Sequence, residues 1–333
     1  MSAPAKHSQV VGRLVPSPTG ELHLGHARSF LLAWWSARSA GGRIVLRWED
    51  IGSERVRQTF LDGNRRDLAW LGMDWDGAEV VQSEHLAPIR AAIDTLLASG
   101  AVYPCICSRK DVRDAQAEAA PLDAPHNDNL LAEHAEAPYA GTCRDRFATL
   151  DAAFEACGPD RSPALRFCVE GLGARKLCDR VYGNVTIDLA RFGGDFVIGR
   201  AARDGQHEVG YQIAVVIDDA RAGVNEVVRG EDLLVSAARQ EWIAEALELP
   251  IPAWVHVPLV IDSNGERLAK RTHSLSLETL RARGITAEQI VAWVAASCGL
   301  PSKRGPLAAD YLDGFDLASL PRQAVVAPQW LLT

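Results

Sequence analysis

The sequence lacks the features of membrane-spanning, secreted and broadly nucleic-acid-binding proteins. It contains no apolar run near the roughly 18 residues that a membrane-spanning helix needs. Its first residues, MSAPAKHSQ, carry no apolar stretch of the kind found in a secretory signal. It also lacks a basic excess, because 35 Lys and Arg stand against 43 Asp and Glu, a formal net charge of −8. These absences predict a cytoplasmic protein with no membrane partner and no general basic face for nucleic acid.

A local basic patch on an acidic protein can still bind phosphates. Most single charges lie on a solvated surface, so each basic residue taken alone says little. The candidates for such a patch are Arg109, Lys110, Arg113, Arg144, Arg146, Lys303 and Arg304.

The composition that is present is that of an ordinary globular protein. The 333 residues are 47% hydrophobic and 23% charged, which allows one large domain or two to three modest ones. No internal repeat is visible. Seven cysteines are an odd number, and close-set cysteines in a chain of this kind indicate a metal site sooner than disulfides.

The first hundred residues predict a βαβ unit. The apolar run 10–15 predicts a buried strand, 26–40 a helix that ends at the Gly41-Gly42 pair, and 43–49 the next strand. This order with tight glycine links is typical of a parallel sheet. A further helix is predicted over 57–71.

The rest of the chain is less regular. The segment 117–138 is rich in Ala, Pro, Asp, Asn and His and predicts a mobile or weakly helical insertion. The run 211–220 fits a strand or a buried helix equally well, and 224–234 predicts a strand, a turn at Gly230 and a helix start. A strand is predicted over 256–262, and a helical tail with prolines between its segments follows from residue 276.

The stretch PSPTGELHLGH, which follows the first strand and opens the first helix, predicts a phosphate site. A helix N-terminus exposes free N–H groups and a partial positive charge, and Gly25 lets the backbone approach a ligand. His23 and His26 could donate hydrogen bonds to a phosphate and stabilise charge that develops there. The alternative is that the two histidines only cap or pack.

The same stretch of sequence resembles the signature of a known family. RLVPSPTGELHLGHAR is similar to the signature of class I aminoacyl-tRNA synthetases, and within them to the glutamyl and glutaminyl branch. In that family a second, lysine-containing loop follows the last sheet strand, and ERLAKR at 266–271 matches it. Lys270 then corresponds to the lysine that holds ATP phosphates. Arg267 and Ala269 depart from the usual lysine and serine of this loop.

The resemblance implies a site for ATP and for L-glutamate. It implies that His23, His26 and Lys270 are catalytic and that Pro16, Gly25, His26 and Lys270 bind ATP with Mg²⁺. The glutamate-binding residues that it implies are Arg13, Leu14, Val15, Pro16, Ser17, Glu49, Tyr211 and Arg229. Arginine suits a carboxylate through bidentate hydrogen bonds, and a carboxylate suits the ammonium group. Without the resemblance, Arg229 would be interpreted as part of a surface salt-bridge cluster and Tyr211 as a core aromatic residue.

The cysteines predict a zinc site. Cys105 and Cys107 in YPCICSR and Cys143 in GTCRD form a partial ligand set, since zinc prefers four ligands, mainly thiolate and imidazole. His126 and His134 are candidates for the fourth position. The resemblance instead implies Tyr139 as the fourth ligand, with one Zn²⁺ per chain. The alternative is a set of free buried thiols.

The resemblance also implies the architecture. The expected fold class is α/β, with a Rossmann-like parallel sheet of the class I catalytic domain, split by a zinc-bearing insertion and followed by a short helical segment. The expected divisions are 8–100 for the first catalytic half, 101–200 for the insertion, 201–275 for the second half with the lysine loop, and 276–333 for the helical tail.

Residues 271–333 are too few for the anticodon-binding module of complete glutamyl enzymes. Glu21 and His26 replace residues that are usual in those enzymes. At both positions the sequence resembles a truncated branch of the family. The resemblance implies tRNA-independent activation of glutamate, followed by its transfer to queuosine at the wobble position of tRNA(Asp). A monomer is expected.

Three alternatives stay open. One is a conventional tRNA-charging glutamyl enzyme that works with a separate anticodon-binding partner. Another is an inactive synthetase-like protein that binds ATP or RNA, which the altered RLAKR loop would explain. The last is a different nucleotidyltransferase, such as a cofactor adenylyltransferase, and the combined presence of Arg13, Glu49, Tyr211 and Arg229 argues against it.

Overall fold

The computed structural model describes residues 9–52, 55–118, 137–266, 268, 276–301 and 305–332. The strands are β1 (Val11–Leu14), β2 (Arg43–Trp48), β3 (Val80–Val81), β4 (Val102–Cys105), β5 (Ala164–Phe167), β6 (Arg175–Asp179), β7 (Gly183–Ile187), β8 (Phe196–Arg200), β9 (Glu208–Val209), β10 (Glu226–Gly230), β11 (Ala253–Val257), β12 (Val260–Ile261) and β13 (Val325–Val326). The helices are α1 (Leu24–Ser39), α2 (Gln58–Trp70), α3 (Leu86–Ala98), α4 (Arg109–Glu118), α5 (Leu150–Cys157), α6 (Tyr211–Ala222), α7 (Leu234–Ala246), α8 (Leu277–Ala282), α9 (Ala287–Ser297) and α10 (Gln329–Leu332).

The predicted βαβ unit is confirmed. Strands β1 and β2 pair in parallel with Val11 opposite Arg43, and α1 connects them. The chain turns after α1 at Gly41, whose φ of 64° favours glycine. Gly42 must also lack a side chain, because a Cβ there would lie 2.4 Å from the carbonyl oxygen of Val10. The glycine pair therefore lets β2 begin directly beside β1.

The central sheet is parallel apart from its edge strand β7, and it has its topological switch between β1 and β10. On one side of β1 lie β2 and then β3, all parallel. On the other side the backbone N–H of Asn225, just before β10, donates to the carbonyl oxygen of Val11 at 3.1 Å, and β10 pairs in parallel with β11. The prediction of an α/β fold with a parallel sheet is confirmed. In such sheets ligands bind where the strand order reverses, at the carboxyl ends of the strands.

Two core clusters pack around these elements. One lies along α1 and β2 and includes the fully buried Trp35 and Trp48. The other joins the region of α3, β5 and β8 to α6. The run that fitted a strand or a helix is α6, a helix whose Ile213 and Ala214 are fully buried. Among the residues described, no helix is long and apolar enough to cross a bilayer.

The region predicted as an insertion contains two different structures. Strands β4, β5, β8 and β9 form a separate antiparallel sheet. The hairpin of β6 and β7 instead joins the central sheet, where Asp179 lies opposite Trp254 of β11. The boundaries at residues 100, 200 and 275 stay predictions. Most of the segment 117–138 lies outside the described residues.

The predicted strand over 256–262 is interrupted. It divides into β11 and β12 at Pro258 and Leu259, because proline has no backbone N–H and its carbonyl oxygen accepts from Nη1 of Arg28 at 2.7 Å. The tail is also not wholly helical, since its strand β13 pairs with β12. Its helices α8 and α9 bury Leu280 and Val291 in the same core cluster as α1.

Candidate active site

A cleft of about 480 Å³ opens at the switch point of the central sheet. Residues 15–17, which follow β1, form one wall, and residues 258–260, which follow β11, form another. The first turn of α1 and the start of α6 also line it. The cleft therefore lies where the topology predicts a ligand.

Two histidines close the N-terminal end of α1 with a reciprocal pair of hydrogen bonds. Nδ1 of His23 accepts from the backbone N–H of Gly25 at 3.1 Å, and Nδ1 of His26 accepts from the backbone N–H of His23 at 3.2 Å. The ring centroids are 3.7 Å apart. Gly25 has to be small here, because a Cβ would lie 3.0 Å from Cε1 of His23.

This arrangement decides the protonation of both rings. A ring nitrogen that accepts a hydrogen bond carries no proton, so the proton of each neutral ring is on Nε2. Burial lowers the pKa of His23 to about 4 and that of His26 to about 3, the latter with a further contribution from His23. Both rings are neutral at pH 7, and each carries an Nε2–H at the start of the helix, which suits an anion such as a phosphate.

A chain of buried ion pairs reaches the cleft through Arg13 and Glu49. Nε of Arg13 donates to Asp219 at 2.9 Å, and Nη1 of Arg47 donates to the other oxygen of Asp219 at 2.7 Å. Arg47 also donates through Nη2 to Glu49 at 3.0 Å. Burial raises the pKa of Asp219, but Arg13 and Arg47 together bring it below its ordinary value. Two arginines thus balance two carboxylates.

Arg229 differs from the other two arginines because its partners are neutral. It donates to Nε2 of His256 at 3.1 Å, to Oε1 of Gln240 at 2.8 Å and to the carbonyl oxygen of Leu233 at 3.1 Å. Its guanidinium lies over the ring of Trp254, 4.6 Å from the centroid. Burial lowers its pKa to about 10, so it remains charged. Within the described part of the chain no carboxylate contacts it, and a buried cation of this kind suits an anionic ligand.

A second cluster lies in the region of β4. The sulfur atoms of Cys105, Cys107 and Cys143 lie within 4.8 Å of one another. The hydroxyl of Tyr139 is 3.3 Å from the sulfur of Cys105 and 3.4 Å from that of Cys107. A Cβ on Gly194 would lie 2.8 Å from the backbone nitrogen of Tyr139, so this glycine allows the tyrosine to reach the cluster. Three sulfurs and one oxygen that converge in this way suit a tetrahedral zinc ion.

The sequence matches a known family over most of its length. Residues 9–303 match the family model described as "tRNA synthetases class I (E and Q), catalytic domain". A Glutamyl-Q tRNA(Asp) synthetase of Nitratidesulfovibrio vulgaris is 39% identical over an alignment of 330 residues, and the match covers 96% of this chain and 96% of that protein. One of Rhodopirellula baltica is 40% identical over an alignment of 333 residues, and the match covers 96% of this chain and 97% of that protein. The chain belongs to the class I glutamyl and glutaminyl synthetase family.

A solved structure agrees with this assignment at the level of the fold. The glutamate tRNA ligase from Elizabethkingia meningosepticum, crystallised with its amino acid, superposes with a TM-score of 0.77 at 22% sequence identity. The match covers 98% of this chain and 68% of that one. The resemblance predicted from the sequence motifs is confirmed, and the protein is an enzyme of the aminoacyl-tRNA synthetase type.

The structure brings most of the predicted site residues of this synthetase into one cleft. Those that line it are Arg13, Val15, Pro16, Ser17, His23, Gly25, His26, Glu49, Tyr211 and Arg229. Leu14 does not line it, because its side chain points into the core and is fully buried. Lys270, His126 and His134 lie outside the described residues.

Several polar residues that hold the cleft of this synthetase in shape were not predicted from the sequence. Asp219 and Arg47 belong to the ion-pair chain, and Asp179, Gln240 and His256 lie behind Arg229. One signal was available, since a charged residue inside an apolar run such as RIVLRW must find a partner if the run is buried. The sequence did not show which residue that partner is, because the partner comes from a distant segment of the chain.

Proposed function

We propose that this synthetase activates L-glutamate with ATP in the absence of tRNA and then transfers the glutamyl group to queuosine at the wobble position of tRNA(Asp). The observation that carries the glutamate part is Arg229, a buried cation in the cleft whose partners among the described residues are all neutral. The names of the two relatives that match over their full length support the acceptor part.

The proposed glutamate site uses Arg229 and the two ends of the ion-pair chain, which are Arg13 and Glu49. Arg229 would bind a carboxylate of the substrate, and Arg13 keeps its terminal amino groups for another because Asp219 takes only Nε. Glu49 would bind the ammonium group, with Tyr211 and residues 15–17 completing the pocket. An amino acid with two carboxylates fits this set of charges better than a neutral one.

The proposed reaction needs positioning more than acid–base chemistry. A carboxylate oxygen of glutamate attacks the α-phosphorus of ATP, the bond to the β-phosphate oxygen breaks, and pyrophosphate leaves. The Nε2–H groups of His23 and His26 would donate to the phosphate oxygens as charge develops there, and Lys270 is proposed to hold the leaving phosphates. Mg²⁺, when it is bound with ATP, supplies further positive charge on those phosphates.

In the second step a hydroxyl group of the queuosine cyclopentenediol attacks the carbonyl carbon of the adenylate. An ester forms, AMP leaves and the hydroxyl proton is released. We propose that the protein acts as a monomer in the cytoplasm, where its RNA substrate is present.

Glutamate-dependent exchange of pyrophosphate into ATP tests the activation step. We expect exchange with glutamate in the absence of tRNA, because the cleft holds the groups for both small substrates. Exchange that requires bulk tRNA would favour a conventional tRNA-charging enzyme. Absence of exchange under both conditions would favour a synthetase-like binding protein. Transfer of labelled glutamate to tRNA(Asp) with queuosine, but not with guanosine at the wobble position, tests the acceptor.

We also propose that Cys105, Cys107, Tyr139 and Cys143 hold one structural Zn²⁺. A metal would link β4 to the chain before α5, since the ligands come from both. Such a bond stabilises a small, otherwise loosely packed region.

Replacing Cys105 by serine is expected to lower the zinc content measured by elemental analysis from one per chain and to lower the melting temperature. A thiolate ligand is lost, and serine binds zinc weakly at neutral pH. Cys157→Ser is the matched control, because Cys157 is also a buried free cysteine but lies outside the cluster. Unchanged zinc content in Cys105→Ser would contradict the proposed site.

A further inference from the structure

Arg229 is connected to a buried carboxylate through a single imidazole ring. Nε of Arg229 donates to Nε2 of His256 at 3.1 Å, and Nδ1 of His256 donates to Oδ2 of Asp179 at 2.8 Å. The three residues come from three neighbouring strands, β10, β11 and the end of β6. His256 and Asp179 have no exposed side-chain surface, and neither lines the cleft.

The direction of each hydrogen bond in this chain is determined. Asp179 accepts from the backbone N–H groups of Val181 and Tyr182 through Oδ1, at 2.9 and 2.8 Å, and from that of His256 through Oδ2 at 2.9 Å. These bonds and His256 hold the pKa of Asp179 below its usual range even though burial raises it. Burial lowers the pKa of His256 to about 4, so its ring is neutral. Nδ1 therefore carries the proton, and Nε2 is the acceptor for Arg229.

The imidazole ring of His256 separates the guanidinium of Arg229 from the carboxylate of Asp179. A carboxylate in direct contact would occupy the guanidinium, as Asp219 occupies Nε of Arg13. His256 links Arg229 to Asp179 while only the Nε–H of Arg229 is used on that side. Nη1 and Nη2 are oriented by Gln240 and Leu233, and each nitrogen keeps a second N–H for a ligand.

We propose that His256 is a positioning residue for the amino-acid substrate, which fixes the guanidinium of Arg229 through Asp179 and keeps it available for a substrate carboxylate. This inference rests on the proposed function, in which Arg229 binds glutamate. The hairpin of β6 and β7 then has a role in the reaction, because it carries the anchoring carboxylate next to the central sheet.

Replacing His256 by phenylalanine tests this role. The aromatic ring can keep its place beside Trp254, with which the imidazole stacks at 5.9 Å between centroids, but both hydrogen bonds are lost. We expect the KM for glutamate in pyrophosphate exchange to rise about 10- to 100-fold, since a hydrogen bond to a charged group is removed. The KM for ATP and the kcat at saturating glutamate should change little, because His23 and His26 do not contact this network.

His207→Phe is the matched control. His207 is another buried histidine that contacts a carboxylate, with Nε2 3.1 Å from Asp94, but it does not line the cleft and does not contact Arg229. It should lower the melting temperature without a selective effect on glutamate. Asp179→Asn is a second variant, nearly equal in shape, and we expect it to raise the KM for glutamate in the same direction.

Two outcomes would overturn the inference, and they can be told apart. If the wild-type protein shows no glutamate-dependent exchange, the proposed function fails and this inference fails with it. If the wild-type protein is active but the folded His256→Phe and Asp179→Asn variants keep the wild-type KM for glutamate, or raise both Michaelis constants equally, only the positioning role is wrong. If His256→Phe does not fold, Asp179→Asn decides by the same criteria.

Discussion

Replacing Arg229 by lysine is expected to raise the KM for glutamate by about 100-fold or more and to leave the KM for ATP near its wild-type value. Lysine keeps a positive charge but loses the planar fork that can bind a carboxylate through two parallel hydrogen bonds. It also cannot donate simultaneously to His256, Gln240 and Leu233 in the geometry that holds the guanidinium. Steady-state pyrophosphate exchange with each substrate varied in turn measures both constants.

Arg175→Lys provides the control for this substitution. Arg175 also lies over a tryptophan, with its guanidinium 4.4 Å from the ring centroid of Trp242, but it pairs with Glu241 and Glu245 and does not line the cleft. Its replacement should affect stability alone. Equal effects of Arg229→Lys on both Michaelis constants would argue against a carboxylate-binding role, because ATP would then depend on Arg229 as much as glutamate does.

Replacing His23 by asparagine is expected to lower the kcat of adenylate formation by about 100- to 1000-fold. The substitution removes the Nε2–H of a ring that lines the cleft, and the loss of one donor to a developing negative charge has an effect of this size. Asparagine is a favourable N-cap residue, so its side-chain oxygen can accept from the backbone N–H of Gly25 as Nδ1 of His23 does. Single-turnover adenylate formation and thermal unfolding measure the two consequences separately.

The melting temperature of His23→Asn should therefore stay close to that of the wild-type protein while the rate falls. His85→Asn is a suitable control, because His85 is exposed and does not line the cleft. A His23→Asn enzyme that retains the full rate would show that the N-cap function of His23 is its only one. A large loss of stability would show that the ring packing, and not the cap, holds the start of α1.

The regular elements around the site were largely predictable. The strand before the His23 and His26 motif, the helix after it and the next strand follow from the apolar pattern and the glycine pair, and all three are present. The helix begins at Leu24, two residues earlier than predicted, because His23 serves as its N-cap. The interruption after β11 was not predicted. It is visible only in the structure, where the carbonyl oxygen of Pro258 and the backbone N–H of Leu259 bond to the side chains of Arg28 and Glu231 and not to a neighbouring strand.

What the sequence by itself determined is local. Two histidines three residues apart at a helix start must lie on one side of the first turn, and Cys-x-Cys places two sulfurs near each other, so both motifs could be assigned from spacing and resemblance. The family could be assigned in the same way.

Only the tertiary structure decided which charged groups meet. Arg13 and Asp219 are 206 positions apart, and His256 and Asp179 are 77 apart. The first contact depends on how α6 lies against β1, and the second on β6 pairing with β11, which sequence spacing does not encode. A buried charge must be compensated, but the residue that compensates it is selected by the order and register of the sheet, and that order leaves Arg229 with neutral partners among the described residues.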